Sequence, residues 1–226
     1  CWRHEQHLYF LHIMVLVYAA LPVTRAFLRR ADEKTIRYAL ALWAFSGVLL
    51  PTARALGLLF WLDGIPVQWA LSLTWSSIGC TALGWRLRKK PLRAGTSIAL
   101  VLLGFAICYV GTAVLSIRKG TLAPQLLEGL SPGPLMMAIG IFCLCEVLAP
   151  KLPNVLQRTA ETFGKSSFGI YLAHEFALSA FRVFGVTTWF ASPLISIPAL
   201  AFACLLLTFM GVFVMSKIPI VRRWLI

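Results

Sequence analysis

Charged side chains are scarce in this sequence. Asp, Glu, Lys and Arg make up 13% of its 226 residues, against about 25% in a typical soluble domain. A water-facing surface cannot be built from so few. Hydrophobic residues reach 59% and the mean hydropathy is +0.82, so a soluble globular chain is excluded and a polytopic membrane protein is predicted. Long low-complexity linkers, internal repeats and a soluble domain are also lacking. The opening CWRHEQH mixes basic residues with Glu5 and is followed by no small-residue cleavage site, so it does not read as a signal peptide. The net charge of +13 sits on no soluble module with clustered basic residues, which argues against nucleic-acid binding.

Cysteine is present without a pattern. Cys80, Cys108, Cys143, Cys145 and Cys204 fall within apolar segments and Cys1 is terminal. Cys143 and Cys145 stand roughly 200° apart around a helix axis, so they do not face one site. Metal ligands would have to converge. Small apolar packing residues are therefore expected, and no metal site.

What the chain does have is long apolar runs. Seven are long enough, or nearly so, to cross a hydrocarbon core of ~30 Å: 8–28, 37–53, 67–87, 96–116, 134–150, 166–185 and 192–216. The expected fold is all-α, a polytopic transmembrane helical bundle of about seven spans, in one domain over residues 1–226. Pro51 and Arg54 interrupt the second run, which predicts either a kinked helix or a helix plus an interfacial piece. Most of the 21 basic residues gather in alternate loops: Arg25 to Arg37, Arg86 to Arg93, Lys151 to Lys165, and the C-terminus. By the positive-inside rule those loops are cytoplasmic, the N-terminus lies outside and the C-terminus inside. The bilayer, with its anionic lipid, is thus the first partner expected.

One run is unusually polar. SSFGIYLAHEFALSAFR, residues 166 to 182, carries a tyrosine, an adjacent His-Glu pair and an arginine. At about 100° per residue, Ser167, Tyr171, His174, Glu175 and Arg182 fall within an arc of roughly 100°, with Ser179 just beyond. Phe168, Ile170, Leu172, Phe176, Ala177 and Val183 form the opposite face, suited to lipid or packing. Glu175 and Arg182 are two turns apart, placed to share a polar patch without touching. Ionisable groups at this depth cost ~2.5–3.5 kcal/mol each and usually face an interior cavity. The bland alternative is a satisfied interhelical hydrogen-bond cluster without chemistry; the concentration of types favours a functional stripe.

Other polar positions carry weaker signals. His7 and His12 open the first run, with His4 just before them, and an interfacial histidine cluster competes there with a catalytic role. Arg54 and Asp63 flank the outer end of the second run, where they could meet an anionic or polyol ligand or simply snorkel. Glu146 stands close enough to its helix end to reach water. Ser72, Ser76, Gly79 and Cys80 make a small-residue edge, a packing feature before anything else.

These residues carry a resemblance. Ser167-Phe168-Gly169-Ile170-Tyr171-Leu172-Ala173-His174 resembles the S-[YF]-x-x-Y-L-x-H signature of a late helix in the membrane acyltransferase-3 family. His7-Leu8-Tyr9-Phe10-Leu11, with Tyr18 and Pro22, is similar to the family's H-L-W-F-L followed by Y and P; Tyr9 stands where Trp is usual. Ile78-Gly79-Cys80 with Leu83-Gly84-Trp85 resembles its G-x-x-x-x-G stretch before basic residues. The likeness runs in order along nearly the whole chain, and its style is that of the subgroup that includes the enterobacterial common antigen O-acetyltransferase. The family's first span carries an Arg or Lys eleven positions before a His. Eleven before His12 is Cys1 and eleven before His174 is Phe163, so that pair is missing. Family members have about ten spans, and seven with an outer N-terminus would be the last seven. The chain is thus expected to correspond to the C-terminal two thirds of a member.

The resemblance implies transfer of an acyl group, often acetyl, from a thioester such as acetyl-CoA to a hydroxyl of a surface glycan or lipid-linked sugar. The bacterial inner membrane is the implied location. Acyl-CoA is then a donor substrate, and no tightly bound cofactor is expected. A hydroxyl needs a general base in the transition state, and imidazole is the natural one, with a carboxylate to orient it. His174, Glu175 and His7 are the catalytic candidates; Tyr171, Arg182, Arg54, His12 and Ser167 are the substrate-binding ones. Arg54 or Arg182 could meet the developing oxyanion. Two other classes remain: a transporter or flippase of a lipid-linked glycan, using the stripe as a pathway, and a non-catalytic remnant.

Overall fold

The computed structural model describes residues 9–58 and 68–218. Among them there is no strand. Eight α-helices follow one another: α1 (Tyr9–Arg30), α2 (Glu33–Ala44), α3 (Leu50–Ala55), α4 (Leu73–Lys89), α5 (Ala94–Lys119), α6 (Pro132–Leu148), α7 (Asn154–Val183) and α8 (Pro193–Met215). α2 and α3 are one continuous rod joined by a π-helical turn, Phe45–Leu49. Five stretches are long and apolar enough to cross a membrane: Tyr9–Arg30, Glu33–Ala55, Ala94–Lys119, Pro132–Lys151 and Pro193–Met215. The protein is therefore a multi-pass helical membrane protein. At 17 residues, α4 rises only ~25 Å, while the first half of α7 is polar, from Gln157 to Lys165. The chain forms two compact units, residues 9–151 and 152–218, each of which is described by itself.

The second apolar run resolves as a helix interrupted by a π turn, and Pro51, just after it, accounts for the interruption. Proline has no backbone N–H and its ring crowds the preceding turn. The carbonyls that would have faced that N–H are satisfied from elsewhere. Leu71 N–H donates to the Ser46 carbonyl at 2.9 Å, and the Ser76 hydroxyl donates to the Gly47 carbonyl at 3.2 Å. The Trp43 indole N–H closes the same junction by donating to the Ser76 carbonyl at 2.8 Å. Gly79 makes room for that indole, since a Cβ there would stand 2.2 Å from its ring. The small-residue edge of α4 is thus a packing surface, as its composition implies. The pairing of Leu71 also fixes an extended approach to α4, whose helix begins at Leu73 rather than at 67 as the hydropathy suggests.

α5 and α6 form the closest helix pair in the 9–151 unit. A Cβ at Gly140 would lie 2.5 Å from the Ser97 carbonyl oxygen, and one at Gly104 would lie 2.6 Å from that of Gly133. Small residues one above another let two backbones approach where no hydrophobic drive separates helix from lipid. α5 ends at Gly120, whose φ of 66° supplies the left-handed stop. The connection then folds back over the helices: Leu126 is buried, and its carbonyl accepts from the Ser131 hydroxyl at 2.8 Å.

In the 152–218 unit, α7 and α8 make a helical hairpin. The stretch from Asn154 to Lys165, read from hydropathy as a loop, is helical. Pro153 stands immediately before it and nothing after it breaks a helix. The buried positions of α7 are Ser166, Gly169 and Ala177, and those of α8 are Ser196, Cys204, Thr208 and Val212. Phe163 and Phe209 stack with centroids 4.2 Å apart.

Candidate functional site

The small-residue face of α7 decides where its polar face points. Ser166, Gly169 and Ala177, with α8 packed on the helix, lie at about 160–240° from Tyr171 around the axis, opposite the polar stripe. On that face Tyr171, His174 and Glu175 are half-buried and Arg182 is exposed. Phe176 and Val183 are strongly exposed, as lipid-facing residues would be.

Within the stripe two arrangements are built. The His174 ring lies 5.8 Å from that of Tyr171, centroid to centroid. Its Nδ1 sits 2.5 Å from the Tyr171 carbonyl oxygen. A carbonyl can only accept, so Nδ1 carries the hydrogen and the basic lone pair falls on Nε2. The sulfhydryl of Cys204 on α8 donates to the His174 carbonyl at 3.7 Å, tying this turn to the hairpin. Cys204 is a packing cysteine, as expected, yet it also fixes the histidine's backbone; nothing in its spacing signals that.

The second arrangement corrects the sequence reading. Arg182 and Glu175 do touch: Nη2 of the guanidinium donates to Oε1 of the carboxylate. Side chains on a helix lean toward its N-terminus, and arginine is long enough to reach back two turns. Glu175 is thus committed to Arg182, and the Tyr171 carbonyl rather than that carboxylate holds the imidazole. Ser167 is exposed, and its hydroxyl donates back to the Gly164 carbonyl at 2.8 Å. That is a local bond within the helix.

His12 and Arg54 belong to the 9–151 unit. His12 is exposed on the first turn of α1, and Arg54 is exposed in the last turn of α3. His7 and Asp63 lie outside the described residues. Among the candidates in the described residues, direct contacts pair Tyr171 with His174 and Glu175 with Arg182.

The acyltransferase domain family, acyltransferase 3, matches residues 5–216. The chain belongs to this family and is an acyltransferase moving groups other than aminoacyl groups. No curated protein and no solved structure matches it.

Proposed function

We propose that this chain is an integral membrane O-acyltransferase that carries an acyl group, acetyl first among them, from acyl-CoA to a hydroxyl of a surface glycan or lipid-linked sugar. The observation that carries the reading is the polar face of α7, with His174 held in one tautomer by the Tyr171 carbonyl, on a chain of the acyltransferase-3 family.

The step balances on this chain's own groups. The acceptor O–H gives its proton to His174 Nε2 while the oxygen bonds to the thioester carbonyl carbon. The C–S bond then breaks, and the leaving thiolate takes the proton back from the imidazolium. Arg182 has five N–H donors, only part of which the Glu175 carboxylate uses. The rest can hold an oxyanion or an acceptor hydroxyl. Glu175 keeps the guanidinium turned toward the His174 turn instead of outward past the helix end. Tyr171 offers its ring to a sugar face beside the imidazole. Seven spans with an outer N-terminus would place the basic loops on the cytoplasmic side of the inner membrane, the side from which acyl-CoA would enter.

The test is turnover of radiolabelled acyl-CoA by membranes containing the chain, with acceptor glycan supplied. Label moving to acceptor supports the reading. Glycan flux across the membrane without label transfer would replace it with transport.

A further inference from the structure

At one end of the 9–151 unit two chain reversals meet. The one between α1 and α2 bears Arg29, Arg30, Lys34 and Arg37; the one between α4 and α5 bears Arg88, Lys89, Lys90 and Arg93. All of these are exposed. Arg86 joins the two reversals by donating to Glu33 Oε1 through Nε at 3.0 Å and Nη2 at 2.6 Å. That ion pair ties the start of α2 to the end of α4. The acids here are already committed. Asp32 accepts from Thr35 N–H at 3.0 Å, and Glu33 belongs to Arg86. Positive charge is left over, at a level marked by Lys89 Nζ lying 3.8 Å over the Trp85 ring, a pairing suited to a membrane interface.

Directly beneath lies a groove of about 250 Å³ between α1, α2 and α4, whose walls include Val23, Phe27, Leu28, Ile36, Leu40 and Trp43. Leu28 and Ile36 are followed in sequence by Arg29 and Arg37, so the groove starts where the charge ends. Ala82, on its α4 wall, stands one turn before Arg86. The polar hydrogens of the lining are spent internally. The Thr24 hydroxyl donates to the Ala20 carbonyl at 3.0 Å, and Trp43 N–H to the Ser76 carbonyl. Val23 and Phe27 are exposed at the mouth, toward lipid.

We infer that this end of the unit binds an anionic phospholipid, its phosphate on the cations of the two reversals and one acyl chain in the groove between α1, α2 and α4. The charge complements an anionic headgroup and gives a zwitterionic one no advantage. The dry groove suits an acyl chain, and offers nothing to the ribose and adenine of a nucleotide donor. The inference rests only on the chain's membrane insertion, and its test is independent of acyl transfer.

The experiment is native mass spectrometry of the delipidated chain in detergent, titrated with phosphatidylglycerol and with phosphatidylcholine of the same acyl chains. Phosphatidylglycerol should be retained at least ~10-fold better, with the preference shrinking as salt rises, because screening weakens exposed charges. The triple substitution Arg30→Gln, Arg37→Gln, Lys90→Gln should bring the two lipids to parity. Ala82→Phe, which fills the groove, should lower retention of both. Inorganic phosphate and CoA, added as competitors, should leave the bound lipid in place. Equal retention of the two lipids by the unaltered chain would overturn the inference. So would displacement by CoA or by phosphate, since either would assign these cations to a free phosphate ligand. The unaltered chain decides the matter even if a variant fails to insert.

Discussion

Arg182 is the penultimate residue of α7, yet its guanidinium turns back along the helix to the carboxylate of Glu175. A snorkelling arginine would do the opposite and extend past the helix end. The contact makes a locally neutral pair out of two groups that are each costly at membrane depth. It also places a multi-donor cation near the turn that carries His174, where neither group alone would hold it.

That geometry separates two roles by mutation. His174→Ala should lower transfer by at least ~100-fold, the lower end for a lost general base. Arg182→Gln should lower it by about 10-fold, since binding is weakened while the base stays. The charge swap Glu175→Arg with Arg182→Glu should recover part of the loss of Glu175→Arg alone, because the pair is restored. Phe176→Ala, on the exposed opposite face, should leave transfer unchanged. Labelled-product assays and immunoblots of membrane level measure these together. Loss of protein in step with loss of activity would make the stripe structural.

The stripe was legible in the sequence because helical periodicity alone collects Tyr171, His174, Glu175 and Arg182 on one face. Their pairing was not. Residues seven apart lie beyond the usual i, i+4 reach, and only the side-chain directions bring Arg182 to Glu175. The apolar helices α5, α6 and α8 could be read from hydropathy. α7 was read about a dozen residues short, because hydropathy registers apolarity and overlooks polar residues that extend a helix without interruption. Pro51 announced a disturbance in the second run, but its resolution depended on Leu71 and Ser76, which sequence alone does not connect to it.

The π turn offers a test of how its carbonyls are satisfied. Ser76→Ala removes the hydroxyl on the Gly47 carbonyl and should cost about 1–3 kcal/mol, the usual penalty for a buried group left unmade. Pro51→Ala returns a backbone N–H to the same turn. The double variant should therefore unfold closer to the parent than the two single costs predict, with a coupling of roughly 0.5–2 kcal/mol. Thermal melts in nanodiscs measure all four proteins. Strict additivity would mean the hydroxyl and the proline do not share that carbonyl.

Asp32 caps α2 from the reversal after α1, and its carboxyl is held below the usual carboxylate range, mainly by hydrogen bonding to Thr35. A depressed folded-state pKa contributes stability above the unfolded value and loses it as pH falls through the folded one. The contribution should be fully present at neutral pH and fade below about pH 4. Asp32→Asn keeps a good capping side chain and should flatten that acid limb in the melting temperature while changing the neutral value little. Asp32→Ala should lower the neutral value too. An acid limb of the same depth in Asp32→Asn would assign it to another carboxylate.

The last prediction concerns the way the chain is threaded. The Glu33–Arg86 ion pair puts the start of α2 and the end of α4 at the same end of the 9–151 unit, as antiparallel spans require. Both neighbouring reversals are rich in arginine and lysine, and positive charge is retained on the cytoplasmic side during insertion. Reporter fusions near residues 33, 90 and 158 should therefore read cytoplasmic. Those near 63, 125 and 188 should read external. Because α4 is shorter than the other five spans and the first half of α7 is polar, positions 90 and 188 carry most of the weight. If α4 failed to cross, position 90 would report the same side as position 63. If α7 failed to cross, position 188 would report the side of position 158. Either outcome would defeat the seven-span threading while leaving the five apolar helices in place.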